Sequence, residues 1–319
     1  MFTLNFKKIN NKMVLQAGGK GASLGELTKA GIPVPRGFVV TAETFERFLA
    51  ETDINLEIDA QLNKVHFEDI NSVEKASKAI RDLIGDQIMP QDIGQEILKE
   101  FSKLKSKYVA VRSSATAEDS QIASWAGELE TYLNTAKETL LDNVKNCWSS
   151  LFTPRAIFYG CAKGVYQNGQ GRCGVSVAVV VQEMVQSEVA GICFSVHPVT
   201  EDKNQMIIEA GWGLGEAVVS GQITPDSYVL DKRDFSLLDI NISRQEKMIV
   251  RSSKRGDLNK WTPVPGSKQN QQKLTGKQTV ELVKLCAKIE KHYKFPVDIE
   301  WALKKGKFYI TQSRPITTL

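Results

Sequence analysis

FPVDIEWALKKGKFYITQSRPITTL, residues 295–319, begins with the two-residue apolar alternation of a β-strand. Val297, Ile299, Trp301 and Leu303 fall on one face, and Asp298 and Glu300 on the other, their carboxylates roughly 7 Å apart by strand rise. A return strand carries Gln312 and Arg314, so the segment reads as a hairpin. For Glu300 and Gln312 to share a face of adjacent antiparallel strands, their pairing must have an even sum, which predicts a three-residue connection, Lys305, Gly306 and Lys307. A two- or four-residue turn without a bulge would put Gln312 on the opposite face. Paired carboxylates beside a phosphate suit Mg²⁺, which takes oxygen ligands and is often shared between protein and nucleotide. A solvated strand face is the plain alternative, and the return strand's Gln312 and Arg314 shift the balance toward function.

Working outward, Leu282, Leu285, Cys286, Ile289 and Tyr293 mark a long amphipathic helix before the hairpin. YVAVR (108–112), VSVAVVVQEMV (175–185), MIIEA (206–210), SYVLDK (227–232) and the stretch from Leu237 to Ile242 read as strands. Helices are predicted after Thr41, with Phe45, Phe48 and Leu49 on one face, and after Ser72, with Val73, Ala76, Ile80 and Leu83 on one face. RSSKRGDLNKWTPVPGSKQNQQKLTG, residues 251–276, is polar and aperiodic and reads as a loop. The fold class is therefore α+β.

Composition narrows function by exclusion. Forty-one Lys and Arg against 37 Asp and Glu leave +4 over 319 residues, too little to suggest nucleic acid as a partner. No apolar run reaches the roughly 18 residues that span a bilayer, and the N-terminus lacks a signal peptide's apolar stretch, so a cytoplasmic location is expected. The five cysteines are scattered without a CxxC pair and read as reduced, buried thiols. None of His66, His197 and His292 belongs to a recognisable triad, and His197, in GICFSVHPVT, is more readily structural than ligand-binding.

Four glycine- or hydroxyl-rich stretches could meet a ligand. AGGKGASLGEL (17–27) sets Lys20 among glycines whose exposed N–H groups suit polyphosphate, although it is not a Walker A loop; on local sequence a plain glycine turn with a solvated lysine is the slightly favoured alternative. In VRSSATAEDS (111–120) a strand delivers Arg112, either as a bidentate phosphate ligand or as the partner of Glu118 or Asp119. SWAGELETYLN (124–134) offers Gly127 and Thr131, or an ordinary loop entering a strand. EAGWGLGEAVVSG (209–221) has its third glycine at 215, one residue early for the dinucleotide fingerprint.

Together AGGKGASLGEL, VRSSATAEDS, SWAGELETYLN, VVVQEMV, GICFSVHPVT, EAGWGLGEAVVSG, VDIEW and QSRPI occur in the order seen in the phosphoenolpyruvate synthase and pyruvate phosphate dikinase family, and the chain resembles that family over nearly its whole length. The resemblance implies an ATP-grasp-like fold, with residues 1–319 as a single ATP-binding domain of two lobes holding ATP and Mg²⁺ between them. It implies that Lys20 and Arg112 contact phosphates, that Gly127 and Thr131 lie in a phosphate-covering loop, and that Gln182 lies near the adenine. Glu300, Gln312 and Arg314 would complete the site, with Glu300, Gln312 and Asp298 as metal ligands and Arg314, Arg112 and Lys20 catalytic. The implied activity is that of a kinase or phosphotransferase: phosphorylation of a histidine on a carrier domain as the ATP half-reaction of phosphoenolpyruvate synthesis from pyruvate. The carrier's Thr-x-His-Ala segment matches none of the three histidines, so the phosphohistidine and pyruvate-binding domains are expected elsewhere. A rifampicin phosphotransferase-like enzyme and a non-catalytic nucleotide-binding module are the competing readings.

Overall fold

The computed structural model describes residues 1–66, 68–116, 129–162, 166–167, 171–172, 175–254 and 258–316, and is mixed α and β, as the periodicity predicts. The chain divides into two compact units, Met1–Glu26 with Arg36–Met184, and Leu27–Pro35 with Val185–Leu319. In chain order the strands are β1 Thr3–Asn5, β2 Gly37–Val40, β3 Val109–Ala115, β4 Thr131–Thr135, β5 Tyr166–Gln167, β6 Gly171–Arg172, β7 Val177–Glu183, β8 Val189–Phe194, β9 Gln205–Trp212, β10 Asp226–Asp231, β11 Leu237–Asn241, β12 Lys247–Arg251, β13 Asn259–Pro263, β14 Val297–Lys304 and β15 Lys307–Pro315. The helices are α1 Val14–Lys29, α2 Ala42–Glu51, α3 Asn55–Leu62, α4 Ile70–Asp86, α5 Gln91–Leu104, α6 Leu140–Ser149, α7 Pro154–Ala162, α8 Glu216–Val219 and α9 Gly276–Tyr293.

The first unit is built on an antiparallel sheet in the order β1-β2-β7-β3-β4. β7 is a central strand buried on both faces, which is why it reads as the unbroken apolar run VAVVV rather than as an alternation. One face, with Phe38, Val40, Val111, Val179 and Val181, joins a core with Phe45, Phe48 and Trp148. The two phenyl rings lie 5.5 and 4.9 Å from the indole. Thr41 is the N-cap of α2, as expected, but α4 starts earlier than Ser72. Asp69 is its cap, accepting from Asn71 N at 3.0 Å, while Ser72 Oγ accepts from His66 N at 2.9 Å. A carboxylate three residues upstream won the cap because the hydroxyl was already tied to the preceding turn.

The second unit is a six-stranded antiparallel sheet in the order β11-β10-β9-β8-β14-β15. The apolar side of α9, Leu282, Val283, Cys286 and Ile289, shares one core with Ile208, Val297, Ile299 and Trp301. Thr275 and Gln278 close a capping box at its start. Burial of these side chains, each contributing roughly 1.5–3 kcal/mol, holds the helix on the sheet. Gly191 of β8 is required there: a Cβ would overlap Glu209 O and press on the Trp301 ring.

The stretch from 251 to 276 is not the plain loop its composition suggests, because it holds β13 and the last residue of β12, and β13 pairs back onto β12 through Arg251↔Asn259 and Ile249↔Trp261. Its end is fastened by a buried ion pair, Lys273 Nζ to Asp226 Oδ1 at 2.7 Å. Asp226 also accepts from Lys273 N, Ser243 N and the Tyr228 hydroxyl at 2.9, 3.0 and 3.0 Å. A buried carboxylate satisfied by four donors is compatible with burial where an isolated one is not. Cys147, Cys193 and Cys286 are buried free thiols, and the side chains of Cys161 and Cys173 lie outside the described residues.

Candidate functional site

In the first unit the candidate residues of the sheet lie on the face turned away from the Phe38 and Trp148 core. Arg112 is opposite Thr131 of β4 and Val180 of β7, so all three share that face, with Ser114 and Gln182 two residues further along their strands. Arg112 is 8% exposed, and Gln182 is 2% exposed with its Nε2 lacking a hydrogen-bond partner among the described residues. A buried amide donor left unspent is uncommon and suits a ligand acceptor.

The glycine turn before Lys20 is held by Ser114. Gly18 interrupts α1 with φ 67° and ψ 173°, a region open essentially to glycine, and a Cβ there would overlap Ser114 O and Oγ. Ser114 Oγ donates to Ala17 O at 3.0 Å and accepts from Gly21 N at 3.2 Å. The turn that carries Lys20 is therefore fastened to the strand that carries Arg112.

Beside Thr131, Glu130 anchors the start of β4. Its carboxylate pairs with Arg81 at 2.7 Å and accepts from the Tyr132 hydroxyl, and its carbonyl accepts from Ser113 N at 3.1 Å. Nothing in the sequence around Glu130 announced this anchor, because Arg81 lies far upstream on α4. Gly127, Glu118 and Asp119 lie outside the described residues.

In the second unit Glu300 is directly opposite Gln312, and Asp298 directly opposite Arg314. The connecting turn has two residues, Lys305 and Gly306, and not the expected three. Both have positive φ, 49° and 72°, as tight hairpin turns with the strands' own twist require. An irregularity between the Glu300 and Trp301 pairings leaves Thr311 without an opposite number, and this extra residue restores the shared face. Arg314 donates through Nε to Asp298 Oδ2 at 2.8 Å, and Asp298, 7% exposed, has no hydrogen-bond partner at Oδ1 among the described residues. Burial pushes the Asp298 carboxyl above its usual range, against the opposing pull of Arg314.

Glu209 is a member of this face that was missed. It is opposite Ile192 of β8, which is opposite Glu300. Burial, with the Asp298 charge, raises its carboxyl pKa. The signal was present in MIIEAGW, where Met206, Ile208 and Ala210 take the core side and leave a lone acid on the other. His197 serves its own turn, with Nδ1 accepting from Val199 N and Thr200 N at 3.2 and 3.1 Å.

No group of three His, Cys, Asp or Glu side chains among the described residues could hold a metal by itself. The oxygen donors Glu300, Gln312 and Asp298 Oδ1 nevertheless fit Mg²⁺, which is commonly completed by water and nucleotide phosphates. No helix among the described residues is long and apolar enough to cross a membrane.

Residues 14–319 match the family described as pyruvate phosphate dikinase, AMP/ATP-binding domain. A probable phosphoenolpyruvate synthase of Methanocaldococcus jannaschii is 45% identical over 319 residues, covering 98% of this chain and 26% of that protein. One from Archaeoglobus fulgidus is 47% identical over 308 residues, covering 95% of this chain and 40% of that protein. The rifampicin phosphotransferase of Bacillus subtilis is 37% identical over 319 residues, covering 99% of this chain and 36% of that protein. The chain thus spans less than half the length of these curated relatives.

Proposed function

Since the chain belongs to the pyruvate phosphate dikinase AMP/ATP-binding domain family, we propose that it binds ATP and Mg²⁺ in an ATP-grasp-like arrangement and transfers a phosphoryl group to a histidine on a carrier domain. Residues 1–319 act as one ATP-binding domain. The transfer is the ATP half-reaction of phosphoenolpyruvate synthesis from pyruvate, in the cytoplasm. The observation that carries the reading is the pair of opposed rungs, Glu300 with Gln312 and Asp298 with Arg314, on one sheet face. The archaeal relatives, at 45% and 47% identity, favour synthase chemistry over the rifampicin enzyme at 37%.

Each side chain then has a task that its surroundings support. Gln182 presents its buried, unspent Nε2 to an adenine ring nitrogen. Lys20, on the Ser114-held turn, places a point charge at the phosphates, and Arg112 grips two of their oxygens with its planar fork. Gly127 and Thr131 cover the phosphates, Thr131 being set by the anchored Glu130. Glu300, Gln312 and Asp298 hold Mg²⁺, which would neutralise phosphate charge. Arg314, its plane fixed by Asp298, stabilises the charge on the transferring group. Positioning and electrostatics supply most of the acceleration in phosphoryl transfer, and these groups provide both.

The test is to incubate the protein with labelled ATP, Mg²⁺ and the unmatched remainder of the Methanocaldococcus relative as a separate chain. Acid-labile phosphohistidine on that carrier is the expected product. Binding of ATP without transfer would leave a nucleotide-binding module, and transfer only in the presence of rifampicin would move the chain to the antibiotic-modifying class.

A further inference from the structure

The two edges of the second sheet are finished differently. On β15 the outer edge is tied off, with Ile310 N donating to Pro33 O at 2.9 Å. β11 ends the sheet on the other side and, among the described residues, pairs only with β10. A free strand edge offers its N–H and C=O groups to any further strand, and proteins usually blunt it with lysine, proline or a cover. SLLDINIS, residues 236–243, has neither lysine nor proline and carries one charge, Asp239. It is instead apolar and open: Leu237 and Leu238 are 49% and 50% exposed, and Ile240 and Ile242 each 37%. These side chains stand on one face. Ile240 is opposite Tyr228 and Leu237 opposite Leu230, both of which turn into the core. Alternation from Ile240 adds Leu238 and Ile242, and the register shift beside Leu238 brings Leu237 round to the same side. A contiguous apolar row of this kind marks an interaction surface.

The strand that fits this edge best is a second β11. About a two-fold axis normal to the sheet, antiparallel copies keep their faces, so paired residue numbers must have an even sum. Centred on Asp239, the charge would face itself; centred on Asn241, Leu238 would face the partner's Arg244. Centred on Ile240, Leu238 meets the partner's Ile242 and Ile240 meets the partner's Ile240. On the other face Asp239 meets the partner's Asn241, whose amide donates to the carboxylate. That register alone among the three sets apolar against apolar throughout and charge against donor.

We propose that β11 is a self-association edge, along which two copies of this chain pair antiparallel about Ile240 and join their six-stranded sheets into one. The apolar row is then covered over its length, and the Glu300 faces of both copies lie on the same side of the joined sheet. A strand pair this short falls below the roughly 1,200 Å² of a standard interface, so the dimer is weak and forms with rising concentration.

Analytical ultracentrifugation of the whole chain from about 1 µM to about 1 mM reads the association. The expected result is a monomer that converts to dimer across that span, and at least tenfold weaker association in Ile240→Lys with the circular dichroism of the wild type. Cysteine pairing reads the register. Ile240→Cys faces its own copy and should form an interchain disulfide with oxidised glutathione, above the background of the wild type's five cysteines oxidised in parallel. Leu238→Cys should not, because it stands four residues, about 13 Å along the strands, from its own copy, beyond the roughly 7 Å that a disulfide spans. A monomer at every concentration, dimerisation unchanged in Ile240→Lys, or crosslinking of Leu238→Cys as fast as that of Ile240→Cys overturns the proposal.

Discussion

Glu300 and Gln312 face one another across β14 and β15 because one surplus residue, Thr311, offsets a hairpin turn that is one residue too short for that pairing. Below the bulge Ile310 and Phe308 point into the core opposite Trp301 and Leu303; beyond it Gln312 and Arg314 join the acids on the other face. A one-residue slip would exchange the faces.

Deleting Thr311 should therefore turn Gln312 and Arg314 toward the core and abolish nucleotide binding. Gln312→Ala, which keeps the register, should lower MgATP affinity by about tenfold to a hundredfold, in the range of lost metal-shell partners. Isothermal titration of both variants decides this, and equal affinities for the deletion and the wild type would remove the bulge from the site.

Gly18→Ala should destabilise the first unit by about 1–3 kcal/mol through its backbone angles alone, before the overlap with Ser114 is counted. Ser114→Ala leaves Gly21 N–H and Ala17 C=O without their shared hydroxyl, a loss of about 1–3 kcal/mol. Urea unfolding measures both, and nucleotide affinity should fall in parallel because the turn carries Lys20.

Arg314→Gln should lower stability more at pH 7 than near pH 4. Arg314 pulls the Asp298 carboxyl down against burial, so its removal raises that folded-state pKa further above the unfolded one. A raised carboxyl leaves stability intact below the unfolded pKa and loses it as pH rises through the folded one. The window runs upward from the ordinary carboxylate range, and unfolding at the two pH values with an equal loss at both would refute the assignment.

Lys273→Met should destabilise the second unit by about 3–5 kcal/mol, since it strands the fully buried Asp226 charge. Thermal unfolding reads the loss, and Asp226→Asn with Lys273→Met together should recover part of it.

The β7 run, the β14 alternation and the α9 stripe were legible because period and composition are local: whether a strand's two faces are both covered, or one only, is written in its own residues. The ordered motifs likewise pointed to a family and to Lys20, Arg112, Gln182, Glu300 and Gln312. Four features escaped the local pattern. Asp69 took the cap expected of Ser72 because of what Ser72 already held, and β12 with β13 emerged from an aperiodic stretch because a strand pair needs a partner and not a period. Glu209 reached the face of Glu300 through two registers, Ile192 with Glu209 and Ile192 with Glu300, the second joining distant parts of the chain, and no local pattern records which residue stands across from which. The sequence alone determined that Glu300 and Asp298 share a face; that Gln312 joins them through a two-residue turn and a bulge was decided by the core, which requires Phe308 and Ile310 under Trp301.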